Sequence, residues 1–272
     1  MYQKFFGFSE APFNITPDPR FLYLSEDHNT ALNLLRYGIE KSKGFLVITG
    51  EVGCGKTLLC RSLLQSLDED MFETAWLYSS NITQEQLIRS ILKEFGMPTS
   101  RLPETEHLEA LNEYLLSKIS KGKKFLLIID EAQNLSYELL EAVRLLSNLE
   151  TDQHKLLQII LVGQPELKAK LNQPQLRQLK QRILVYYELR PLDKEATQKY
   201  INHRLSLVCK QPGLPKITYG AFRKIYKYSK GIPRVVNNIC DKALMFAYTR
   251  LSTKVSTKDV LFAIKDIERL SL

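Results

Sequence analysis

The hydrophobic pattern along the chain changes character twice. Residues 1–24 mix prolines with aromatics ("APFNITPDPRFLYLS") and predict turns and extended pieces rather than a helix. After Ser25, which suits an N-cap, "EDHNTALNLLRYGIEKSKG" sets Ala31, Leu32, Leu34, Leu35 and Ile39 on one helical face, with Gly44 as the stop. Short continuous apolar runs then alternate with amphipathic stretches. The runs are "FLVIT" (45–49), "TAWLYS" (74–79), "FLLIID" (125–130), "LLQIILVG" (156–163) and "ILVYYEL" (183–189). Helical periodicity fills 56–67, 83–95, 105–120, 136–149 and 165–181. Strands that are apolar on both faces and separated by helices predict an α/β fold, a parallel five-stranded sheet flanked by helices.

Beyond "LRPLD" (189–193) the strand signals stop. Four helical segments follow, near 193–210, 218–229, 233–251 and 256–269, punctuated by Gly213 and Pro215, Gly231 and Pro233, and Ser252–Thr253. The expected organisation is an N-terminal segment over 1–44, an α/β core over 45–191 and an all-helical lid over 192–272.

Where the first apolar run ends, the chain reads "GEVGCGKT", a match to G-x-x-x-x-G-K-[ST] placed between a strand and a helix. Glycines at Gly50, Gly53 and Gly55 let backbone N–H groups turn inward around a phosphate, with the following helix directing its positive end there. The loop residues Gly50, Glu51, Val52, Gly53, Cys54, Gly55, Lys56, Thr57 and Leu58 are thus expected to bind a nucleotide. Lys56 reaches the β/γ oxygens and the Thr57 hydroxyl ligates Mg²⁺. Cys54 reads either as a redox-sensitive thiol at a helix N-terminus or as a small side chain that fits.

The third run, "KKFLLIIDEAQ", ends in two acids. Asp130 suits the Mg²⁺-associated carboxylate at a strand end. Glu131 suits the general base for a water attacking the γ-phosphate, which favours hydrolysis over transfer to a substrate hydroxyl. Gln164, ending the fourth run, is placed to hold that water or sense the γ-phosphate. Arg234 in "GIPRVVNN" opens a lid helix from which it can reach back to the nucleotide.

Composition adds less than charge does. The chain has 272 residues, 44% apolar and 25% charged, an ordinary globular balance. Its four cysteines lack metal or disulfide spacing and read as free thiols in a reducing compartment. The N-terminus lacks a signal-peptide pattern, and no apolar run approaches the roughly 18 residues of a membrane span. A cytoplasmic location is expected, with any membrane association peripheral or through a partner. Residues 1–180 carry 20 basic against 23 acidic side chains, whereas residues 181–272 carry 18 against 7. The basic end suggests either a polyanionic partner or a solvated lysine-rich surface.

The strings "MYQKFFGFSEAPFNITPDPRFLYLSEDHNTALNLLRYGI", "GFLVITGEVGCGKT", "LLIIDEAQNL", "ILVGQPEL", "LKQRI" and "GIPRVVNNIC" span nearly the whole chain. Together they resemble the AAA+ ATPases, most of all the cytoplasmic ATPase of the general secretion pathway protein A family, with related pilus-biogenesis and exopolysaccharide-associated ATPases. The resemblance implies Walker A and B motifs, Mg²⁺ and ATP as cofactors, and hydrolysis at interfaces between subunits of a homo-oligomer. It makes Gln164 sensor 1 and Arg234 sensor 2, and has the segment from Pro12 and Phe13 wrap the adenine. An arginine finger is expected just before the fifth strand, where Arg182 is favoured over Arg177; the alternative for each is an arginine serving a helix C-terminus.

Longer members of that family continue into a membrane span and a periplasmic peptidoglycan-binding region. This chain, ending at Leu272, is then either a short member working through a membrane-anchored secretion or pilus partner, or an excised domain. The competing expectation is a DNA-associated regulator like the transposition ATPases. It rests on the basic lid and on "KITYGAFRKIYKYSKG" (216–231), where aromatics between lysines suit nucleic acid. Phe222, Ile225 and Tyr226 equally fit one buried helix face.

Overall fold

The computed structural model describes residues 2–14, 16, 18–41, 44–78, 82–99, 103–150, 155–209 and 215–269. Its elements gather into two compact bodies, each assembled from separated segments. One, here the sheet body, comprises His28–Gly50 and Leu59–Leu189; the other, the lid body, comprises Met1–Asp27, Glu51–Leu58 and Arg190–Leu272.

In the sheet body five parallel strands, β1 (Phe45–Gly50), β2 (Phe72–Tyr78), β3 (Lys124–Asp130), β4 (Leu157–Gly163) and β5 (Ile183–Leu189), lie in the order β2-β3-β4-β1-β5. The three central strands are buried along almost their whole length, while the edge strands β2 and β5 have buried and exposed positions interspersed. That difference is the one expected between strands covered on both faces and strands at a sheet margin. All five apolar runs became strands; β2 starts two residues earlier than expected, and Ser79 lies outside the described residues. In the register, Thr49 of β1 lies opposite Gly163 of β4, and Ile129 of β3 opposite Leu161. The C-terminal ends of β1, β3 and β4 therefore gather at one edge, where α/β sheets place their chemistry.

Helix ends follow local capping chemistry. The Thr83 hydroxyl accepts from Gln86 N while the Gln86 side chain accepts from Thr83 N, a reciprocal box that opens the helix Gln84–Glu94. The helix Glu26–Lys41 buries Ala31, Leu32, Leu35 and Ile39 on the expected face. The single helix expected over 165–181 is instead three pieces: Pro165–Leu171, a 3₁₀ turn Pro174–Leu176 and Arg177–Gln181. Pro174, which lacks an N–H and crowds the preceding turn, breaks it.

The lid body contains the four expected helices, Lys194–Val208, Tyr219–Ser229, Pro233–Thr249 and Thr257–Arg269, with the predicted breaker Gly213 outside the described residues. Two features depart from expectation. The N-terminal segment starts with a short helix, Tyr2–Phe6, and a parallel pair of two-residue strands, β6 (Lys216–Ile217) and β7 (Lys254–Val255), joins the lid helices. Both are short structures that tertiary packing supports and local sequence does not announce.

What fixes the N-terminal segment is Arg204, 6% exposed. Its guanidinium donates to Pro12 O at 2.6 Å, Asn14 O at 3.1 Å and the Tyr200 hydroxyl at 3.0 Å, and lies 4.5 Å from the Phe21 ring centre. The Tyr200 hydroxyl in turn donates to Asn237 Oδ1 at 2.7 Å. Ser9 N donates to Val208 O at 2.8 Å, and Tyr2 donates to Asp241. At Gly231, φ is +79° and a Cβ would stand 1.8 Å from Leu192 O, so only glycine admits the Leu192 N to Gly231 O bond made there.

Candidate functional site

The predicted phosphate loop, over Glu51–Leu58, belongs to the lid body. Gly53 and Gly55 take φ of +83° and +96°, backbone that other residues enter only with strain, and the helix Lys56–Gln65 begins immediately afterwards. Lys56 is buried and its Nζ donates to Glu51 O at 3.0 Å, so the ammonium lies back across the loop. Arg234 comes to the same place. Its N–H donates to Gly53 O at 3.2 Å, and a Cβ on residue 53 would stand 2.5 Å from Arg234 Cβ. The predicted loop and the predicted sensor arginine are thus brought into direct contact, and the glycine permits it.

Cys54 is buried in the loop, and burial pushes its thiol up to about 11 against the smaller opposing pull of Lys56. An activated thiolate is the opposite of this, so Cys54 is a small side chain that fits. Cys60 and Cys240 are buried, Cys209 is half-buried, and none of the four cysteines is in a disulfide.

The carboxylates belong to the sheet body. Asp130, at the end of β3, is buried, and its Oδ1 accepts from Glu131 N at 2.9 Å. Glu131 has φ 54° and ψ 36°, a left-handed conformation that costs a non-glycine residue roughly 1–2 kcal/mol. Side-chain amides hold it there. Gln133 Nε2 and Gln164 Nε2 donate to Glu131 Oε2 at 2.6 and 3.0 Å, and Gln164 N donates to Gln133 Oε1 at 3.0 Å. Lys170 Nζ completes the turn by donating to Gln133 O and Leu135 O, both at 2.7 Å. Glu131 and Gln164 were expected together; Gln133 and Lys170 were not. Gln133 stood in plain view two residues after Glu131, whereas nothing local marks Lys170, which acts across 37 residues.

The two candidate finger arginines differ. Arg182 is half-buried and donates to Ser147 Oγ at 3.0 Å and to Asn148 Oδ1, while its carbonyl accepts from Phe45 N at 2.8 Å. Arg177, the first residue of its short helix, is exposed.

On the lid, Phe222 and Ile225 are buried and Tyr226 is partly so, as the amphipathic reading requires. Tyr219 is different: it is 68% exposed, with Lys194 Nζ 5.6 Å and Arg223 Cζ 6.0 Å from its ring centre. Lys216 and Lys254 face each other in the β6–β7 register, a like-charge pairing that costs stability.

Comparison with known proteins bears on the family and the fold. Residues 39–171 match the family model described as an AAA domain. General secretion pathway protein A of Aeromonas hydrophila is 42% identical over 269 residues, 98% of this chain. The chain spans about half, 48%, of that relative's length. Among solved structures, the Aeropyrum pernix ORC2 protein in its ADPNP–ADP complexes aligns with 95% of this chain and 72% of its own, at TM-score 0.69 and 16% identity. Drosophila ORC bound to DNA aligns with 94% and 64%, at TM-score 0.71 and 17% identity, a likeness of fold.

Proposed function

Because the chain is an AAA+ protein of the general secretion pathway protein A family, we propose that it works as a homo-oligomeric ATPase, hydrolysing ATP with Mg²⁺ to drive or regulate assembly of a cell-envelope secretion or pilus apparatus. The observation that carries this reading is the glycine loop with Lys56 at its helix start and Arg234 packed on Gly53. No helix among the described residues is long and apolar enough to cross a membrane. The proposed location is the cytoplasm, with recruitment to the inner membrane by a membrane-anchored partner.

The residues present fit Mg²⁺-ATP. Gly53 and Gly55 hold the left-handed backbone that turns amide groups inward around a phosphate. The Thr57 hydroxyl and Asp130 carboxylate are the few hard oxygen donors that Mg²⁺ takes when phosphates supply others. Bound there, the metal would offset charge developing on the transferred phosphoryl group. Lys56 swings from Glu51 O to the β/γ oxygens. Glu131 takes the proton of the attacking water, and Gln133 and Gln164 orient its carboxylate until the γ-phosphate engages Gln164. Arg234 senses the same phosphate from the lid. A finger supplied to a neighbouring subunit by Arg182 requires release from Ser147 and Asn148, whereas Arg177 already stands exposed.

ATPase rate measured against protein concentration tests this reading. Turnover per subunit is expected to rise with concentration and to fall in Arg182→Ala or Arg177→Ala. A concentration-independent rate that neither substitution changes removes the trans-acting arginine.

The exposed Tyr219 and the Lys216–Lys254 pairing favour a second reading, in which the lid docks on DNA. Arg223→Ala with Lys254→Ala is then expected to weaken duplex binding and flatten its salt dependence. Absence of binding at low salt eliminates it.

A further inference from the structure

Away from the carboxylates at the strand ends, a recess opens at the opposite edge of the sheet, where β2, β3 and β4 begin. It encloses about 190 Å³, and its lining includes Phe72, Ile119, Lys123, Lys124, Lys155 and Gln158. The lysines arrive from separate places: Lys123 from the turn after the helix His107–Ile119, Lys124 from the start of β3, and Lys155 from the segment entering β4. A cation just past a helix C-terminus is ordinary. That accounts for Lys123 but not for Lys155, which reaches the same recess from a different connection.

Among the described residues that line it, none is acidic. The lysines' present partners are long contacts. Lys123 Nζ donates to Glu69 O at 3.4 Å, and Lys155 Nζ donates to Ser147 O at 3.3 Å and pairs with the exposed Glu150 at 3.4 Å. Lys124 Nζ stands 5.6 Å from the Phe72 ring centre. Gln158 Nε2 donates to Gly44 O at 2.7 Å, which pins one polar wall. The other wall is aromatic and aliphatic, so the recess pairs several positive charges with an apolar surface. Such a lining matches an amphiphilic anion. The volume is below the roughly 300–1,000 Å³ of sites that take drug-sized ligands, so the ligand is small.

We propose that this recess binds a small phosphomonoester whose carbon part is apolar or planar. Three lysines lining one recess attract a dianionic phosphate more strongly than a single carboxylate, because the attraction scales with the anion's charge. The carbon part lies against Phe72 and Ile119. The site is separate from the phosphate loop and gives the protein a second anion on which its activity can depend.

Calorimetric titration of the full chain with phenyl phosphate, with and without saturating ADP, tests this. One equivalent is expected to bind, with or without ADP. Affinity is expected to fall roughly tenfold or more in Lys124→Ala/Lys155→Ala. It is expected to stay near wild type in Lys124→Arg/Lys155→Arg, and circular dichroism is expected to show both variants folded. Binding that ADP abolishes and the alanine pair leaves unchanged places the phosphate on the loop instead and overturns the proposal. So does absence of binding at millimolar ligand, and so does benzoate binding as tightly as phenyl phosphate.

Discussion

At the centre of the sheet body, β1, β3 and β4 bury aliphatic runs, with Thr49, Asp130 and Gln158 the buried polar side chains among them. The lid body also has an aliphatic core, but it buries Arg204, Tyr200, Asn237, Thr197 and Asp259 with it, and uses Arg204 to hold residues some 190 positions earlier in the chain. Their charges differ as well. The lid body carries 20 basic and 11 acidic side chains, the sheet body 18 and 19. The lesson concerns how each is specified. A parallel sheet needs only continuous apolar runs of the right length, so its stability is spread over many interchangeable contacts. A body gathered from three separated segments depends on a few polar contacts that have no substitutes.

Chemistry should break the comparison most sharply, because the proposed base lies in the sheet body and the proposed phosphate loop in the lid body. Glu131→Gln is expected to reduce ATP turnover by about 10²- to 10⁴-fold while leaving ATP binding intact, read by steady-state hydrolysis and by nucleotide retention. Unchanged turnover would remove Glu131 as the base. A core deletion comes next. Leu127→Ala, in the middle of β3, is expected to cost about 2–5 kcal/mol in denaturant unfolding. The loss is expected to be shared across the sheet body, and hydrogen exchange that accelerates only around residue 127 would contradict a stability spread over many contacts.

The lid counterpart is Arg204→Ala. It leaves Pro12 O, Asn14 O and the Tyr200 hydroxyl without their donor, and about 2–3 kcal/mol is expected. Hydrogen exchange should accelerate first in residues 2–14. Uniform acceleration across β1 to β5 would contradict a lock local to the lid body.

The smallest effect is a pH dependence. Burial pushes the Asp259 carboxyl up, but hydrogen bonds from Arg250 and Ser256 outweigh it and hold the group below the ordinary 3.8. A depressed carboxylate contributes stability above its unfolded-state value, and that contribution is lost as pH falls through the folded value. Asp259→Asn is therefore expected to lower the melting temperature at neutral pH. Its difference from wild type should narrow below about pH 4, and a difference constant from pH 3 to 7 counts against the ionised pair.

Much of the candidate site was legible because its signals are local. The loop Gly50–Thr57 is contiguous, and Asp130 and Glu131 sit where an apolar run stops. Gln164 was legible as a polar residue ending a strand, but its bond to Glu131 depends on β3 and β4 being neighbours, which no spacing reveals. The fracture of 165–181 was also present in the sequence, as Pro174, and periodicity alone passed over it. The helix Tyr2–Phe6 was illegible for another reason: five residues cannot sustain a helix without the packing that Tyr2 and Phe6 find in the lid core.

Sequence by itself determined the strands, most helices, the glycine loop, the acidic pair and the basic character of the chain's C-terminal third, because each is a periodicity, a motif or a sum along the chain. Tertiary structure alone decided the strand order, the clasp of Gln133, Gln164 and Lys170 around Glu131, the seat of Arg182 on Ser147 and Asn148, and the Arg204 lock. Those are pairings of groups far apart in the chain. Their energies depend on distance in space, which sequence spacing does not encode.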